Sequence, residues 1–448
     1  MRKIVIYLAV LAGTSGAMAQ TVALSRTEAV RLALERNEAY QSALLEKDRV
    51  RGRYLEARSG ALPRVTLDGA YLRNIDMQTS VFSMKDEDGT VRTTTITFGT
   101  PHNYSFGFSL YQPLYVAGKV GAALKIAGYG DKYTEAAITA ARQNVSTQAD
   151  RAYLDAVAAR QAEKVFREAE HLTDSNLAVV KKLFEQGQAS EFDFLRAQVQ
   201  AANARPERIA AENRTRLAFD YLRNFLALPS DREITVDSAI EQVDVPVLDA
   251  ASLLAEALAN RPELTQSQQQ MNINKKLISI SSSGYRPNIG ISSRIAWDSF
   301  KDEFKRFSVA KDSWHRSWNV SLALSWSVFD GFETVGKVRQ AKVDYNQSKL
   351  ANSQLVRQVH LEVQDALGKV NEANQRVEAL GETVAQAERG LQIAQVRFQN
   401  GIGIQLEVLD AQVALTTARV NRIAALHDLA AAVSALRRAV GREWAPQW

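Results

Sequence analysis

Glu407 and Asp410, in the stretch NGIGIQLEVLDAQVAL (400–415), are the first candidates for a functional site in this 448-residue chain. Three residues apart, they share one face of a helix. A third acid, Asp193, holds a related position in FEQGQASEFDFLRAQV (184–199). The five histidines, His102, His171, His315, His360 and His427, have no metal-ligand spacing and read as surface or helix-face residues. No phosphate-binding glycine loop and no nucleophile motif is present. No enzymatic activity, metal or cofactor is therefore expected, and the acids are left to act through their charge. Repeated around an axis by copies of the chain, Glu407 and Asp410 form rings of negative charge that select cations at a constriction. Acids near a helix N-terminus are also favourable in their own right.

Composition narrows the class. Apolar residues make up 46% and charged ones 23%, as in an ordinary folded protein, and only nine prolines interrupt helices. The net charge of +5 is spread along the chain without a basic, aromatic-interleaved patch, so nucleic acid is not an expected partner. The start, MRKIVIYLAVLAGTSGAMAQ, has a basic n-region, an apolar run and an A-x-A site, the pattern of a signal peptide over 1–19. About nine apolar residues cannot cross roughly 30 Å of hydrocarbon as a helix. The absence of cysteine excludes disulfides and a lipid-modified cysteine anchor. No later segment has eighteen consecutive apolar residues, so any membrane insertion must use strands.

The chain repeats itself. Phe184, Gly187, Leu195, Ala197, Gln198 and Val199 match Phe398, Gly401, Leu409, Ala411, Gln412 and Val413 at an offset of 214, while Pro63 matches Pro287 at 224. Two repeats follow, 20–240 and 241–448, each reading helix, strand, loop, strand, very long helix, tight turn, helix. A helix is expected over about 25–59, with Ser25 and Glu28 as a capping box. Strands are expected at about 62–76 and 95–113, around a polar loop MKDEDGT, and at about 287–298 and 316–329. The long helices span about 118–186 and 334–400, roughly 100 Å each. In the second, Val356, Val363, Val370, Val377, Val384, Leu391 and Phe398 fall seven apart. Val359, Ala366, Ala373, Leu380, Ala387 and Ala394 follow three later, an a/d coiled-coil pattern. Gly187 and Gly401 cap these helices, and Pro206 is expected to kink the return helix.

Trp318–Asp330, WNVSLALSWSVFD, alternates large apolar with small or polar residues. Period two marks a strand with one greasy face. Four such strands of about ten residues suit a tilted membrane crossing with lipid outside and a polar lumen inside. A small sandwich packed on itself is the alternative. In a bilayer four strands cannot close a barrel, so several copies must share one, two giving eight strands and three giving twelve with room for a pore.

These residues resemble the TolC family of outer-membrane efflux proteins, through the duplicated layout, ALANRPEL (257–264), PLYVAGK (113–119), FDG (329–331) and NGIGIQLEVLDAQVAL (400–415). The resemblance implies a homotrimer in outer-membrane lipid, with a twelve-stranded β-barrel continuous with a periplasmic α-helical barrel. It also implies a passive exit duct serving an inner-membrane transporter and a periplasmic adaptor, for efflux or type I secretion. In similar proteins acids at the second tip line the periplasmic mouth, which assigns Asp193, Glu407 and Asp410 to the constriction. Gly187, Leu195, Gly401, Ile402, Ile404 and Leu409 become the adaptor-docking residues. Some relatives carry a basic latch residue where this chain has Gly403. A periplasmic coiled-coil adaptor, or a structural envelope protein without a pore, are the alternative functions. The cargo is not named by the sequence.

Overall fold

The computed structural model describes residues 22–85, 87–229, 231–237, 239–304 and 314–448. The expected signal peptide, 1–19, lies outside them. Two compact units form, one from the described residues up to Glu46 with Glu135–Gln266 and Asn352–Trp448, the other from Lys47–Thr134 and Ser267–Ala351. In chain order the elements are β1 (Val22–Leu24), α1 (Arg26–Arg36), α2 (Glu38–Ser59), β2 (Arg64–Arg73), β3 (Gln78–Lys85), β4 (Val91–Phe98), β5 (His102–Val116), α3 (Lys119–Glu185) and α4 (Glu191–Phe225). They continue as β6 (Ile234–Val236), α5 (Ala250–Asn260), α6 (Pro262–Ser281), β7 (Asn288–Lys301), β8 (His315–Ser325), α7 (Glu333–Gln399) and α8 (Gln405–Ala439). The chain is mainly helical with a small β part. Helices α3 and α7 each have 67 residues, and α4 and α8 each have 35. Their ends are 214 apart throughout, from Lys119 and Glu333 to Phe225 and Ala439.

In the first unit, the heptad positions of α7 face inward. Val359 and Val370 are fully buried, and Val363, Val377, Val384 and Leu391 nearly so. Small Ala366, Ala373 and Ala394 alternate with them, so neighbouring backbones can approach closely. Leu429, Val433 and Leu436 of α8 join the same core, along with Tyr153, Ala156 and Val157 of α3. The Glu28 amide donates to Ser25 Oγ (3.2 Å), the expected N-cap. The expected single helix over 25–59 is instead two, α1 and α2. Asn37 leaves helical geometry because its side chain caps the Ala39 amide (3.0 Å) and donates to the Phe225 carbonyl (3.2 Å). Helix α4 runs unbroken through Pro206. Arg26 clasps the buried Asp150 at 2.5 and 2.9 Å and donates to the Pro446 carbonyl, fixing the C-terminal tail. Trp448 lies under the Arg442 guanidinium, 4.5 Å from its ring centroid.

In the second unit, β2, β5, β7 and β8 form one antiparallel sheet in that order. The register aligns the apolar positions in rows: Val65, Leu110, Ser293 and Val320; then Leu67, Phe108, Ile295 and Trp318. The other face carries Thr66, Ser109, Arg294 and Asn319, then Asp68, Gly107, Ala296 and Ser317. Leu67 and Leu322 are 67% and 69% exposed, so among the described residues these rows of the apolar face are uncovered, against the sandwich alternative, whereas farther out Phe304 packs on His102. Among the described residues β2 and β8 each pair on one side only. The expected polar loop MKDEDGT holds the turn of a hairpin, β3–β4, at Gly89 (φ 86°), whose two strands were not expected there. The strand expected from 95 therefore begins at His102, after β4 ends. Strand β8 stops at Ser325, opposite the first residue of β7, and Trp326 turns to donate to the Tyr285 carbonyl (3.3 Å).

Two histidines depart from the surface reading. His102 is 8% exposed and shares a hydrogen bond with the Tyr71 hydroxyl (2.8 Å). His427 of α8 sits between Asp155 (2.7 Å) and Asp428 (3.3 Å), the latter also bound by Arg376 (3.2 Å). The hydrogen bond to Asp155 outweighs burial and raises its pKa. A raised folded-state pKa contributes stability below about pH 6.5, which is lost as pH rises through the elevated value. Thermal melting of the wild type should therefore weaken across that window, and H427Q should flatten the pH dependence there; an identical pH profile for the two would refute the assignment.

Candidate functional site at the hairpin tips

Helices α3 and α4, and likewise α7 and α8, join in tight turns. Gly187 and Gly401 both adopt φ 72°, the left-handed conformation that glycine takes without a Cβ penalty. The Gly401 amide donates to the Phe398 carbonyl and the Ile402 amide to the Arg397 carbonyl, both at 3.0 Å. The first tip repeats the pattern, with Gly187 to Phe184 and Gln188 to Leu183. These are Schellman closures, which satisfy carbonyls that a helix end otherwise leaves unpaired.

The two helices leaving these turns start differently. Helix α4 begins with a reciprocal cap: the Asp193 amide donates to Ser190 Oγ (3.1 Å), and that hydroxyl donates back to the Asp193 carboxylate (2.6 Å). Asp193 thus has a local structural role. Helix α8 starts after Ile404, which has no side chain able to cap it. There Glu407 accepts from Arg397 Nε at 3.3 Å, tying the start of α8 to the end of α7. Asp410 is exposed. No hydrogen bond or ion pair joins Asp193 to Glu407 or Asp410 among the described residues.

The tips are apolar outside. Ile402 is 69%, Ile404 59% and Leu195 50% exposed, and Phe192 at 67% joins them. Leu409 does not belong with these. It is 5% exposed, so its side chain faces into the hairpin and cannot meet a partner. Sequence reasoning missed three residues here. Arg397 was hidden because its partner lies ten positions away across a turn, outside the helical i to i+4 spacing. Gln405 and Gln412 are 1% and 5% exposed, polar side chains buried at the start of a helix. Gln412 reaches the Leu172 carbonyl of α3 at 3.5 Å, linking the second hairpin to the first.

Gly403 has a structural reason. A Cβ there would lie 2.9 Å from Arg397 Cβ, 3.0 Å from Glu407 Oε2 and 3.1 Å from the Phe398 nitrogen. Any side chain collides with the Arg397–Glu407 pair. G403A should therefore cost about 1–3 kcal/mol by overpacking, whereas R397Q, removing a half-exposed ion pair, should cost only about 0–1 kcal/mol. Hydrogen exchange of amides 397–408 checks this: faster exchange in G403A and near-wild-type exchange in R397Q is the expected order.

Comparison with known proteins places this geometry. The profile of the outer membrane efflux protein family matches residues 29–228 and 253–442. The outer membrane protein TolC of Vibrio cholerae is 20% identical over 337 residues, 75% of this chain and 76% of that protein. The solved CmeC outer membrane channel of Campylobacter jejuni superposes with a TM-score of 0.76 at 16% identity, covering 93% of this chain and 85% of that one. A membrane protein from Pseudomonas aeruginosa gives 0.74 at 19% identity over 93% of each chain. With its two long helical hairpins, four-stranded sheet and matched extent, the chain belongs to the outer membrane efflux protein family.

Proposed function

We propose that three copies of this chain form a passive exit duct across the outer membrane, fed by an inner-membrane transporter through a periplasmic adaptor. One observation carries the reading. The sheet has an apolar face in register across its strands and two edges, β2 and β8, without partners among the described residues. Hydrocarbon tolerates no open edge. Pairing β2 of one copy with β8 of the next closes a ring, and three copies supply twelve strands around an open lumen. Strand pairs β2–β5 and β7–β8 both meet their helices at one end, so the helices continue on one side of the membrane.

At the far end of the long hairpins, the second tip narrows the duct. Three copies of Asp410 and Glu407 form two acidic rings, with Asp193 from the first tip. The Arg397 partner offsets the charge of Glu407, so Asp410 dominates the field. Exposed Leu195, Ile402 and Ile404, on turns set by Gly187 and Gly401, dock the adaptor.

The chain has no cysteine, which makes cross-linking clean. L67C combined in turn with V320C, L322C or L324C should give covalent trimers on oxidation for one pairing, the one that matches the β2–β8 register. Monomers for every pairing would remove the barrel. In planar bilayers under a salt gradient, D410N should reduce cation selectivity more than E407Q, and R397Q should increase it. Equal reversal potentials for all four proteins would detach the acids from the constriction.

A further inference from the structure

The apolar face of the sheet carries charge at one end only. From the helix-proximal end outward its rows run Val65–Leu110–Ser293–Val320, Leu67–Phe108–Ile295–Trp318, Gly69–Phe106–Trp297–Arg316, Tyr71–Tyr104–Ser299 and finally Arg73–His102–Lys301. Every ionisable group on these rows lies in the outer three, and none is acidic. The opposite face carries both signs, Arg64 and Arg294 with Asp68 and Asp298. Arg73 and Arg316 are exposed and Lys301 is half-buried. None of the three forms a side-chain hydrogen bond or ion pair among the described residues, although Asp76, Asp302 and Glu303 lie at the same end.

The cations stand on an ordered aromatic platform. Tyr71 meets Tyr104 at 4.9 Å between centroids, and Phe304 closes edge-on over His102 at 5.6 Å. Phe106 stacks on Trp297 at 5.1 Å. The strand ends are fixed as well: the Asn74 amide donates to the Pro101 carbonyl and the Asn74 side chain to the Thr100 carbonyl, both at 2.9 Å. Arg73 and Lys301 flank His102 on neighbouring strands, about 10 Å apart at two interstrand spacings. Side chains as long as arginine and lysine can both reach one tetrahedral anion across that span. Tyrosine and tryptophan sit at the level of lipid head groups, where a fixed cation seeks an anionic partner.

We infer that Arg73, Lys301 and Arg316 bind the phosphates of a phosphorylated glycolipid in the outward-facing leaflet, of the lipid A type. This rests on the barrel reading, which turns the apolar face to lipid and the helix-free end to the cell exterior. The site takes a sugar phosphate above acyl chains: the cations hold the phosphate, the rings Tyr71, Tyr104 and Trp297 cover the sugar–acyl junction, and Leu67, Phe108 and Val320 face the chains. A charge-assisted guanidinium–phosphate contact gives the head group its orientation.

The test uses the purified full-length trimer in detergent, titrated with bisphosphorylated lipid A, with monophosphoryl lipid A and with phosphatidylglycerol, and read as bound lipid by native mass spectrometry. Wild type should bind bisphosphorylated lipid A at least tenfold more tightly than phosphatidylglycerol, with the monophosphoryl form between them. R73Q/K301Q/R316Q should lose at least tenfold for bisphosphorylated lipid A, and R73Q and K301Q alone about three- to fivefold each, which keeps the test usable if the triple variant fails to assemble. R294Q, on the opposite face, should bind as wild type. Undiminished binding by the triple and single variants, equal binding of phosphatidylglycerol, or an equal loss in R294Q overturns the inference. Single-channel conductance of the same samples separates the two readings: a conducting trimer without lipid A preference rejects the lipid site alone, whereas absent conductance in wild type rejects the barrel beneath it.

Discussion

A peptide group in hydrocarbon has no water to bond, so every strand that enters a membrane must have a neighbour on both sides. In the proposed duct this requirement orders the second unit. Strands β5 and β7 pair on both sides inside one chain, β5 with β2 over His102–Tyr111 and with β7 out to Val116. Strands β2 and β8 meet half of that requirement. The residues on those outer strands are the most exposed of the sheet, with Trp318 at 72% and Leu322 at 69%. Leaving such side chains in water forgoes about 1.5–3 kcal/mol each, so the isolated sheet is a half-finished object. In the duct proposed above, lipid on one face and a neighbouring copy at each edge complete it; the chain belongs to the outer membrane efflux protein family.

The first unit solves a different problem. A helix of 67 residues has no compact core of its own length to rest on, and its support comes from a narrow seam. Mostly valine and leucine fill that seam at one heptad position and mostly alanine at the other, which brings backbones close and leaves a small area per residue to bury. Stability must then be supplied in many equal increments along the helix. Ion pairs tie elements together around it: Arg208 of α4 to Glu170 of α3, Arg261 to Glu362 of α7, and Arg442 of the tail to Glu256 of α5, each at 2.6 Å. The hydrogen bonds from Arg442 hold Glu256 below the usual carboxylate range.

Much of this was legible in the residues, and the failures have physical causes. The heptads of α7 and the glycines at 187 and 401 announced their roles because each depends on local geometry alone. The alternation in β8 was equally plain. The break at Asn37 was hidden because Asn is compatible with a helix, and its decisive hydrogen bond goes to Phe225, 188 residues away. Segment 74–101 was misread because MKDEDGT looks like an ordinary loop, whereas its flanks alternate over eight residues each and pair with one another. Leu409 was placed outside by its neighbours at the tip, although it follows the buried side of α8. The Arg397–Glu407 pair and the crowded Gly403 lie beyond any periodicity, since the turn brings them together in three dimensions only.

The β3–β4 hairpin has a consequence of its own. Its ladder closes on itself, from Gln78 opposite Phe98 to Lys85 opposite Val91, and forms a sheet separate from the four-stranded one. Changes in its threonine-rich strand VRTTTITF leave the ladder of the larger sheet untouched. The architecture thereby uncouples sequence change in the hairpin from the residues that pair the larger sheet.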